Sequence, residues 1–407
     1  MDDSRLLPLI ERAAAAHRDA VAAAASEPSR VELMKRPDYQ EAHSALTSAL
    51  REDGRLAGRE GDVALHSMWV RFDASSATHW LANRALTVGA VRAAADLTRF
   101  LEPATFPYTV WVALSGVFTD HDVQFAPNLW LRYARDDLPE VLRPTGLLRS
   151  LLHLPTAVLV EQRDQRYERK PEGAERGFRS ARLESDDVIN CLSLVRIPAV
   201  PFIVGLLCEP ADWVPLQGYL HFPLQGYLHF PRSLESTGHQ TRLWREHTER
   251  AQELYHRFRD LPDGFKKRLR LPMWRLNAAM RRRHDADKAI DLGIALEALL
   301  LRGSDPTDKR YQVAVRCAFL LGRSPAAKHR AFQLAGVIYH LRNRAVHRGE
   351  IDSGDLTAPF KGSELEAVLQ DGGRLVAEAA SRFIEARDEP DWDALVLGPR
   401  PEDPAEP

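Results

Sequence analysis

The spacing of apolar residues divides the chain into two helix-rich ends and a middle part with a different pattern. Residues 1–100 are rich in Ala, Leu, Glu and Arg, so we expect a mainly helical N-terminal region. Short β-branched and aromatic runs follow in FPYTVWVALSGVF (106–118) and PTAVLVEQ (155–162). Such runs are typical of strands. Residues 101–238 are therefore predicted to form a mixed α/β domain.

A perfect tandem repeat, PLQGYLHF, occupies residues 215–230. Its unit is even in length, so an insertion of this kind in a strand leaves every side chain on its original face. In a helix the same insertion would rotate the pattern by about 80°. Two short copies are too few for a solenoid. We therefore expect a lengthened hairpin or loop, whose meaning for function stays open.

Helical spacing dominates residues 239–388, which predicts a C-terminal helical bundle. HDADKAIDLGIALEALLLRG (284–303) is apolar almost all round, as expected of a buried helix. RYQVAVRCAFLLG is a shorter helix that ends at Gly322. The tail, 389–407, is acidic and rich in proline, and we expect it to be disordered. The predicted fold class is α+β overall, with a mixed α/β N-terminal region followed by an all-α bundle.

The longest helix predicted in this bundle begins at the cap formed by Ser324 and Pro325 and ends at Gly349. At about 100° per residue, Arg342 lies on the shoulder of its apolar stripe, and Asn343 and His347 point away from the stripe. We therefore expect His347 to face solvent, the other domain or another subunit. The stripe recurs at spacings of three and four and consists of Leu334, Val337, Ile338, Leu341 and Ala345.

Composition excludes several classes of protein. The 407-residue chain has 44% hydrophobic and 28% charged residues and a net charge of −2, so it is globular and is not a polycation that coats nucleic acid. Cys191, Cys208 and Cys317 lack metal-ligand spacing. The acidic start argues against a signal peptide, and prolines in the longest apolar stretch (191–208) argue against a membrane span. We expect a cytoplasmic protein.

LRNRAVHRGE (341–350) concentrates cations at the end of the helix that begins at Ser324. Basic residues in the last turn complement the helix dipole, each contributing about 0.3–1 kcal/mol, and this structural role is one interpretation. The other interpretation is that the segment is a catalytic site. An imidazole that titrates near neutrality can move protons, and an arginine can hold a phosphate.

The segment RNRAVH, Arg342 to His347, resembles the R-x4-H motif of the HEPN superfamily, including the polar residue directly after the arginine. The helices around the motif are also similar to those of the Apea-like HEPN family. DLGIALEALLLRG (291–303) resembles its first conserved helix, RCAFLLG (316–322) the second and YHLRNRAVHRG (339–349) the motif-bearing third. The similarity covers about 285–388 and is weaker up to about 240. It implies that the predicted bundle, 239–388, is HEPN-like.

The resemblance implies a metal-independent endoribonuclease that uses no cofactor, of a kind often found in toxins and in antiphage (antiviral) defence. His347 would be the acid/base, Arg342 would hold the phosphate, and Asn343 would bond the phosphate or orient His347. Cleavage would leave a 2′,3′-cyclic phosphate. The alternatives are a non-catalytic HEPN module, which binds RNA or nucleotide or mediates dimerisation and sensing, and a partner-binding scaffold.

Residues around the motif give three further expectations. Arg344 and Arg348 either bind RNA phosphates or are solvated surface charges. Glu297, on the apolar helix, needs a partner if buried, and we expect an ion pair with Arg316 on the next helix. HEPN relatives are expected to pair, so the resemblance predicts a symmetric homodimer with two RNRAVH segments at its interface. The N-terminal part would then bind a trigger or regulatory partner.

Overall fold

The computed structural model of the protein describes residues 3–23, 35–54, 56–65, 68–102, 105–134, 156–168, 170, 184–195, 199–216, 219–221, 241–301 and 308–398. Most of the PLQGYLHF repeat lies outside these ranges. Within them, helices outweigh strands and are concentrated toward the C-terminus, which confirms the α+β class. No helix in the described ranges is long and apolar enough to cross a membrane.

The N-terminal region is mainly helical, as predicted. An antiparallel hairpin of β1 (Gly61–Leu65) and β2 (Met68–Phe72) interrupts its helices. The sequence pattern does not predict this hairpin, because two strands of five residues are too short to stand out beside long helical repeats. The helices are α1 (Asp3–Ala23), α2 (Pro37–Asp53), α3 (Ala74–Val88) and α4 (Ala90–Leu101).

The middle of the chain contains both predicted strands. FPYTVWVALSGVF forms β3 (Thr105–Ser115) and β4 (Val117–Phe118), and PTAVLVEQ contributes most of β7 (Ala157–Arg166). Alternate residues of β3 are buried from Phe106 to Val112, as expected of a strand that packs one face on a core. The remaining strands are β5 (Val123–Ala126), β6 (Leu129–Tyr133), β8 (Phe202–Pro210), β9 (Tyr219–His221) and β10 (Thr241–Arg242).

These strands form a sheet with the order β5-β6-β7-β3-β8-β9, and the two-residue strands β4 and β10 pair separately in parallel. β9 contains three residues of the first PLQGYLHF copy and pairs antiparallel with β8. This pairing agrees with the hairpin expected for the start of the repeat. Of the rest of the repeat, only Pro215 and Leu216 lie within the described residues.

The C-terminal part consists of packed helices. α7 (Asp263–Arg281) forms although Pro272 lies inside it, because the apolar side chains Leu269, Met273 and Leu276 are buried on one face. Each such burial stabilises by roughly 1.5–3 kcal/mol, which offsets the cost of about 3 kcal/mol for an internal proline. The other helices are α5 (Glu184–Leu194), α6 (Arg245–Arg259), α8 (Asp285–Leu300), α9 (Lys309–Leu321), α10 (Pro325–Arg348), a 3-10 turn (Ser353–Asp355), α11 (Leu365–Ala386) and α12 (Trp392–Leu397).

Helix α10 begins and ends where its caps predict. The Ser324 hydroxyl accepts a hydrogen bond from the Ala327 N–H, and Pro325 is the first helical residue. Gly349 ends the helix at φ 80°, a left-handed conformation that favours glycine. The predicted stripe is buried at every position: Leu334, Val337, Ile338, Leu341 and Ala345. The stripe holds α10 among α8, α9 and α11.

The chain forms two compact units that do not follow the sequence-based boundaries at 100 and 238. The first comprises Met1–Trp111, Glu161–Arg182 and Leu206–His221; the second comprises Val112–Val160, Leu183–Gly205 and Phe222–Pro407. Strands β3, β7 and β8 each contribute residues to both units. A linear reading of the sequence misses such a division, because it depends on strand pairing between distant segments.

The segment predicted to be a disordered tail contains structure as far as residue 398. Helix α12 begins after Asp391, whose side chain accepts hydrogen bonds from two backbone N–H groups. Trp392 packs against Phe383 on α11 with ring centroids 6.3 Å apart, and Glu389 pairs with Arg268 at 2.6 Å. The aromatic contact and the ion pair order this acidic segment. The prediction of disorder is therefore wrong for 389–398, and 399–407 lie outside the described residues.

Candidate functional site

The R-x4-H segment occupies the last two turns of α10, within the second unit. Leu341 and Ala345 are buried and fix this end of the helix on the bundle, whereas His347 is exposed. Arg342 and Asn343 are half-buried between these extremes. The predicted orientations of Arg342 on the shoulder and His347 away from the packing stripe are therefore confirmed.

The Arg342 side chain is held by contacts on two sides. Its Nη1 donates a hydrogen bond to Oδ1 of Asn343 at 2.9 Å, and its Nη2 lies 3.6 Å from Oε2 of Glu297 on α8. The guanidinium also lies over the Tyr339 ring, 5.6 Å from its centroid. Gly293 lets the stem of Arg342 approach α8, since a Cβ at position 293 would lie 2.7 Å from Cβ of Arg342. These contacts orient the guanidinium before any ligand binds.

Glu297 connects Arg342 to Tyr339. The Tyr339 hydroxyl donates a hydrogen bond to Oε1 of Glu297, while Oε2 faces Arg342. Burial raises the pKa of Tyr339, and the hydrogen bond to Glu297 raises it further. Tyr339 therefore stays a neutral donor over the physiological range. Glu297 has both carboxylate oxygens engaged on the side that faces α10.

The predicted ion pair between Glu297 and Arg316 is wrong. Arg316 Nη1 donates instead to the carbonyl of Leu300, in the last turn of α8, and its guanidinium lies 5.0 Å from the Trp392 ring centroid. The prediction assumed that the next helix in sequence, α9, covers Glu297. In the structure α10 covers it, and Arg316 bonds one of the carbonyl groups that a helix end leaves unpaired.

Arg344 and Arg348 project from the flank of α10 toward the 3-10 turn. Asp355 Oδ1 lies 3.2 Å from Nη1 of Arg348 and 3.8 Å from Nε of Arg344. Oδ2 of the same carboxylate accepts a hydrogen bond from the Asp352 N–H at 3.2 Å. The two arginines are thus neither isolated nor merely solvated, because one carboxylate fixed by its own turn faces both of them.

His347 is the least constrained member of the segment. Within the described part of the chain, no hydrogen bond or ion pair to its ring is present, either from Arg342 and Asn343 or from another residue. Its imidazole is therefore open to solvent and can rotate about its side-chain bonds. The structure thus brings Arg342 and Asn343 together but does not join His347 to them.

A cavity of about 370 Å³ lies elsewhere in the second unit, between α5, α6 and α11, and its lining includes His247, Arg250 and Arg382. Arg342 and His347 do not line it. Across the residues that the structure describes, no group of three or more His, Cys, Asp or Glu side chains is arranged to hold a metal ion. The R-x4-H segment lies at the surface, where Val346, His347 and Arg348 at the end of α10 are exposed.

Sequence reasoning overlooked three residues that shape this site: Gly293, Tyr339 and Asp355. Gly293 had a recognisable signal, since glycine inside a helix costs about 1 kcal/mol relative to alanine and often marks a close approach. Tyr339 and Asp355 had none, because their partners come from a different helix and from a turn after the helix. Comparisons with known protein families, with curated proteins and with solved structures give no match to the chain. The resemblance to HEPN proteins rests on the motif and its helices alone.

Proposed function

We propose that the protein is a metal-independent endoribonuclease of HEPN type, acting in the cytoplasm as a toxin or antiphage-defence effector. The observation that carries this proposal is the arrangement at the end of α10. There, Glu297 and Asn343 orient the Arg342 guanidinium, and His347 stands exposed on the following turn. An oriented cation beside an accessible imidazole suits phosphate chemistry that needs no metal.

In the proposed reaction, His347 removes the proton from a ribose 2′-hydroxyl or protonates the leaving 5′-oxygen. The 2′-oxygen attacks phosphorus and the bond from phosphorus to the 5′-oxygen breaks, giving a 2′,3′-cyclic phosphate and a 5′-hydroxyl. Arg342 stabilises the negative charge that builds up on the phosphate oxygens. The Asn343 carbonyl accepts from Arg342, so its amide nitrogen remains a donor toward phosphate or His347.

A symmetric homodimer belongs to this proposal. One helix end forms an open site in which water weakens the stabilisation of charge. A second α10 end across a two-fold axis would bring two copies of Arg342 and His347 to one cleft. Val346 supports such pairing, because it is an apolar side chain that is 53% exposed between these residues.

The alternative is a HEPN module that binds RNA or nucleotide, or that mediates dimerisation and sensing, without cleaving. One observation favours it: a carboxylate already lies near each arginine of the segment, Glu297 near Arg342 and Asp355 near Arg344 and Arg348. A structural role for these arginines would produce the same pairs. The two functions differ in whether RNA is cut.

The test is to incubate the purified protein with mixed RNA in EDTA. We expect fragments whose 3′ ends resist ligation until the cyclic phosphate is opened. RNA that is bound but left intact would support the non-catalytic alternative. Cleavage that requires added Mg²⁺ would contradict a metal-independent mechanism.

A further inference from the structure

A basic cluster lies beside His347 on α10. We define it as Arg310 on α9 and His340, Arg344 and Arg348 on α10, with Asp355 as the acidic residue among them. Burial lowers the pKa of His340, and the charges of Arg310 and Arg344 lower it further. Arg310 therefore lies close enough to act on the same imidazole as the α10 arginines. Asp355 faces Arg344 and Arg348, and Arg310 adds a third cation near His340, so the cluster carries an excess of positive charge.

The position of Asp355 in this cluster is fixed by a hydrogen bond from its own turn. The Asp352 N–H holds its Oδ2, and its side chain is 11% exposed. Oδ1 faces Arg344 and Arg348, which are 39% and 54% exposed. The N–H donors of both arginines are thus accessible to solvent, whereas the Asp355 carboxylate, which neutralises part of their charge, is largely buried. A phosphate that binds from solvent would contact the N–H donors of Arg344 and Arg348, which Asp355 already holds close together.

The cluster continues the candidate site around the helix. At about 100° per residue, His347 lies between Arg342 and Asn343 on one flank of α10 and Arg344 and Arg348 on the other. A single RNA strand that crosses the helix end with one phosphate at Arg342 would therefore pass over the cluster. Arginine also suits phosphate, because its planar fork can make two parallel hydrogen bonds.

We propose that the basic cluster binds a backbone phosphate of single-stranded RNA next to the one that is cleaved, and that this phosphate displaces Asp355 as the arginines' counter-ion. This inference rests on the proposed function. It assigns Asp355 an unusual role: an acidic residue whose charge weakens RNA binding. A purely structural ion pair predicts the opposite, since removing its carboxylate would disturb the arginines and bring no gain in affinity.

The test measures binding of a fluorescent 2′-O-methyl RNA oligonucleotide, which cannot be cleaved by 2′-hydroxyl attack, over a series of salt concentrations. Arg344→Ala and Arg348→Ala should weaken binding, and each lost phosphate contact should reduce the slope of log K against log salt by about 0.7. Asp355→Asn should tighten binding several-fold. Asp355→Ser is the second variant if Asp355→Asn does not fold.

Asp371→Asn is the matched control, because Asp371 also faces two arginines, Arg374 at 2.7 Å and Arg330 at 3.6 Å, away from the motif. It should leave RNA affinity unchanged. Unchanged or weaker binding by both Asp355 variants would overturn the inference, as would inorganic phosphate that competes as strongly as RNA. Tighter binding by Asp355→Asn in a protein that cuts no RNA would refute the proposed cleavage and leave only the exchange of Asp355 for an RNA phosphate standing.

A second inference comes from the first unit, where three histidines cluster with Tyr39. His17 on α1 lies 5.7 Å from His79 on α3 and 6.5 Å from His43 on α2, measured between ring centroids. His43 stacks on Tyr39 at 3.9 Å, and the Tyr39 hydroxyl bonds Nδ1 of His79 at 3.0 Å. Three helices thus meet through imidazole rings.

Burial favours the neutral form of the His17 and His43 rings. His17 Nδ1 and His43 Nε2 are buried and have no hydrogen-bond partner in the described part of the chain. Burial lowers the pKa of His17. For His43, burial and then the charges of His79 and His17 lower the pKa from 6.5 to about 4. A proton on any one ring would place a charge beside two other rings in a partly buried site.

The charged side chains of the surrounding helices have partners away from the rings. Arg12 on α1 pairs with Glu41 on α2 at the surface, and Asp38 at the start of α2 pairs with Arg36. Asp96 on α4 is held by Arg84 of α3 and by Arg92, and Arg71 of β2 pairs with Asp73. The other charged groups described on these helices are Arg5, Glu11, Arg18 and Asp19 on α1, Arg51, Glu52 and Asp53 on α2, and Arg99 on α4.

None of these charges acts on His17 or His43 strongly enough to shift its pKa. In the described residues the three histidines also do not form a metal-binding group. Burial, and for His43 also the two neighbouring imidazoles, therefore oppose protonation of this cluster.

We infer that protonation of the His17, His43 and His79 cluster opens the packing of α1, α2 and α3 in mildly acidic conditions. The direction of the pH dependence follows because the folded state favours neutral His17 and His43. Between pH 6.5 and about 4 the unfolded region binds more protons than the folded one, so stability falls as pH falls through this window. Above pH 6.5 the stabilisation is fully present.

Hydrogen exchange at pH 7.5 and 4.5, corrected for the intrinsic pH dependence of exchange, tests this inference. Amides of α1, α2 and α3 should lose protection at low pH, while those of α8 and α11, whose described segments contain no histidine, serve as the internal reference. His43→Phe should abolish much of the loss, and Tyr39→Phe, which keeps all three imidazoles, should retain it. Equal protection of the wild-type α1–α3 amides at both pH values would overturn the inference, as would a His43→Phe profile identical to that of the wild type.

Discussion

Gly293 on α8 and Arg342 on α10 approach so closely that no side chain fits between them. A Cβ at position 293 would lie 2.7 Å from Cβ of Arg342 and 3.4 Å from its Cδ. The glycine therefore does not serve the helix, which it weakens by about 1 kcal/mol relative to alanine. It serves the position of Arg342, whose guanidinium extends from this contact to Glu297 and Asn343.

Gly293→Ala should reduce RNA cleavage by about a hundredfold, because the added methyl group pushes Arg342 out of line with its partners and small misplacements are costly in catalysis. The fold should survive, since the methyl group also favours the helix. Single-turnover cleavage and thermal unfolding of the same preparation measure both effects.

Gly336→Ala on α10 is the matched control. Its Cβ would lie 4.0 Å from Cβ of Ala314, an ordinary contact, so we expect stability to rise by up to about 1 kcal/mol with unchanged cleavage. Equal losses of activity in the two variants would mean that Gly293 is not required to position Arg342.

The partners of Glu297 give a prediction about stability. In a double-mutant cycle, Glu297→Gln and Tyr339→Phe should couple by about 1 kcal/mol or more, because the Tyr339 hydroxyl donates to a carboxylate. Glu297→Gln and Arg316→Ala should be additive within about 0.5 kcal/mol, since the two side chains have different partners. Denaturant unfolding measures both cycles. Strong coupling between Glu297 and Arg316 would contradict the structure.

Helix α10 shows how much could be predicted from the sequence. Its caps and its packing stripe are local features, so Ser324, Gly349 and the exposure of His347 follow from residue type and spacing. The strands β3 and β7 were recognisable for the same reason, through their composition. Their place in the order β5-β6-β7-β3-β8-β9 was not, because strand pairing depends on segments far apart in the chain.

The candidate site shows the same limit. The direction of Arg342 on its helix follows from residue spacing, but the identity of the helix that covers Glu297 does not. The sequence therefore suggests Arg316 as the partner of Glu297, whereas the structure shows Tyr339 and Arg342. Asp355 reaches Arg344 and Arg348 only because the chain turns back after Gly349. No periodic pattern in the sequence predicts this reversal of the chain.

The proposed homodimer predicts that one exposed apolar side chain controls both assembly and activity. Val346→Glu should shift the protein toward monomer and reduce cleavage, because it places a charge at the centre of the proposed interface. Val91→Glu is the control, since Val91 is 69% exposed on α4, far from the motif in sequence. Light scattering over a dilution series, run beside the cleavage assay, measures both. Full activity from a wild-type monomer would refute the shared cleft.

The central claim is that His347 transfers the proton in RNA cleavage. His347→Ala, assayed on mixed RNA in EDTA, tests it most directly, with His329→Ala as control because His329 is an exposed histidine on the same helix that bonds only Gln333 among the described residues. We expect His347→Ala to abolish the cyclic phosphate products with almost no change in melting temperature, and His329→Ala to cleave like the wild type. Cleavage by His347→Ala at the wild-type rate would contradict the account.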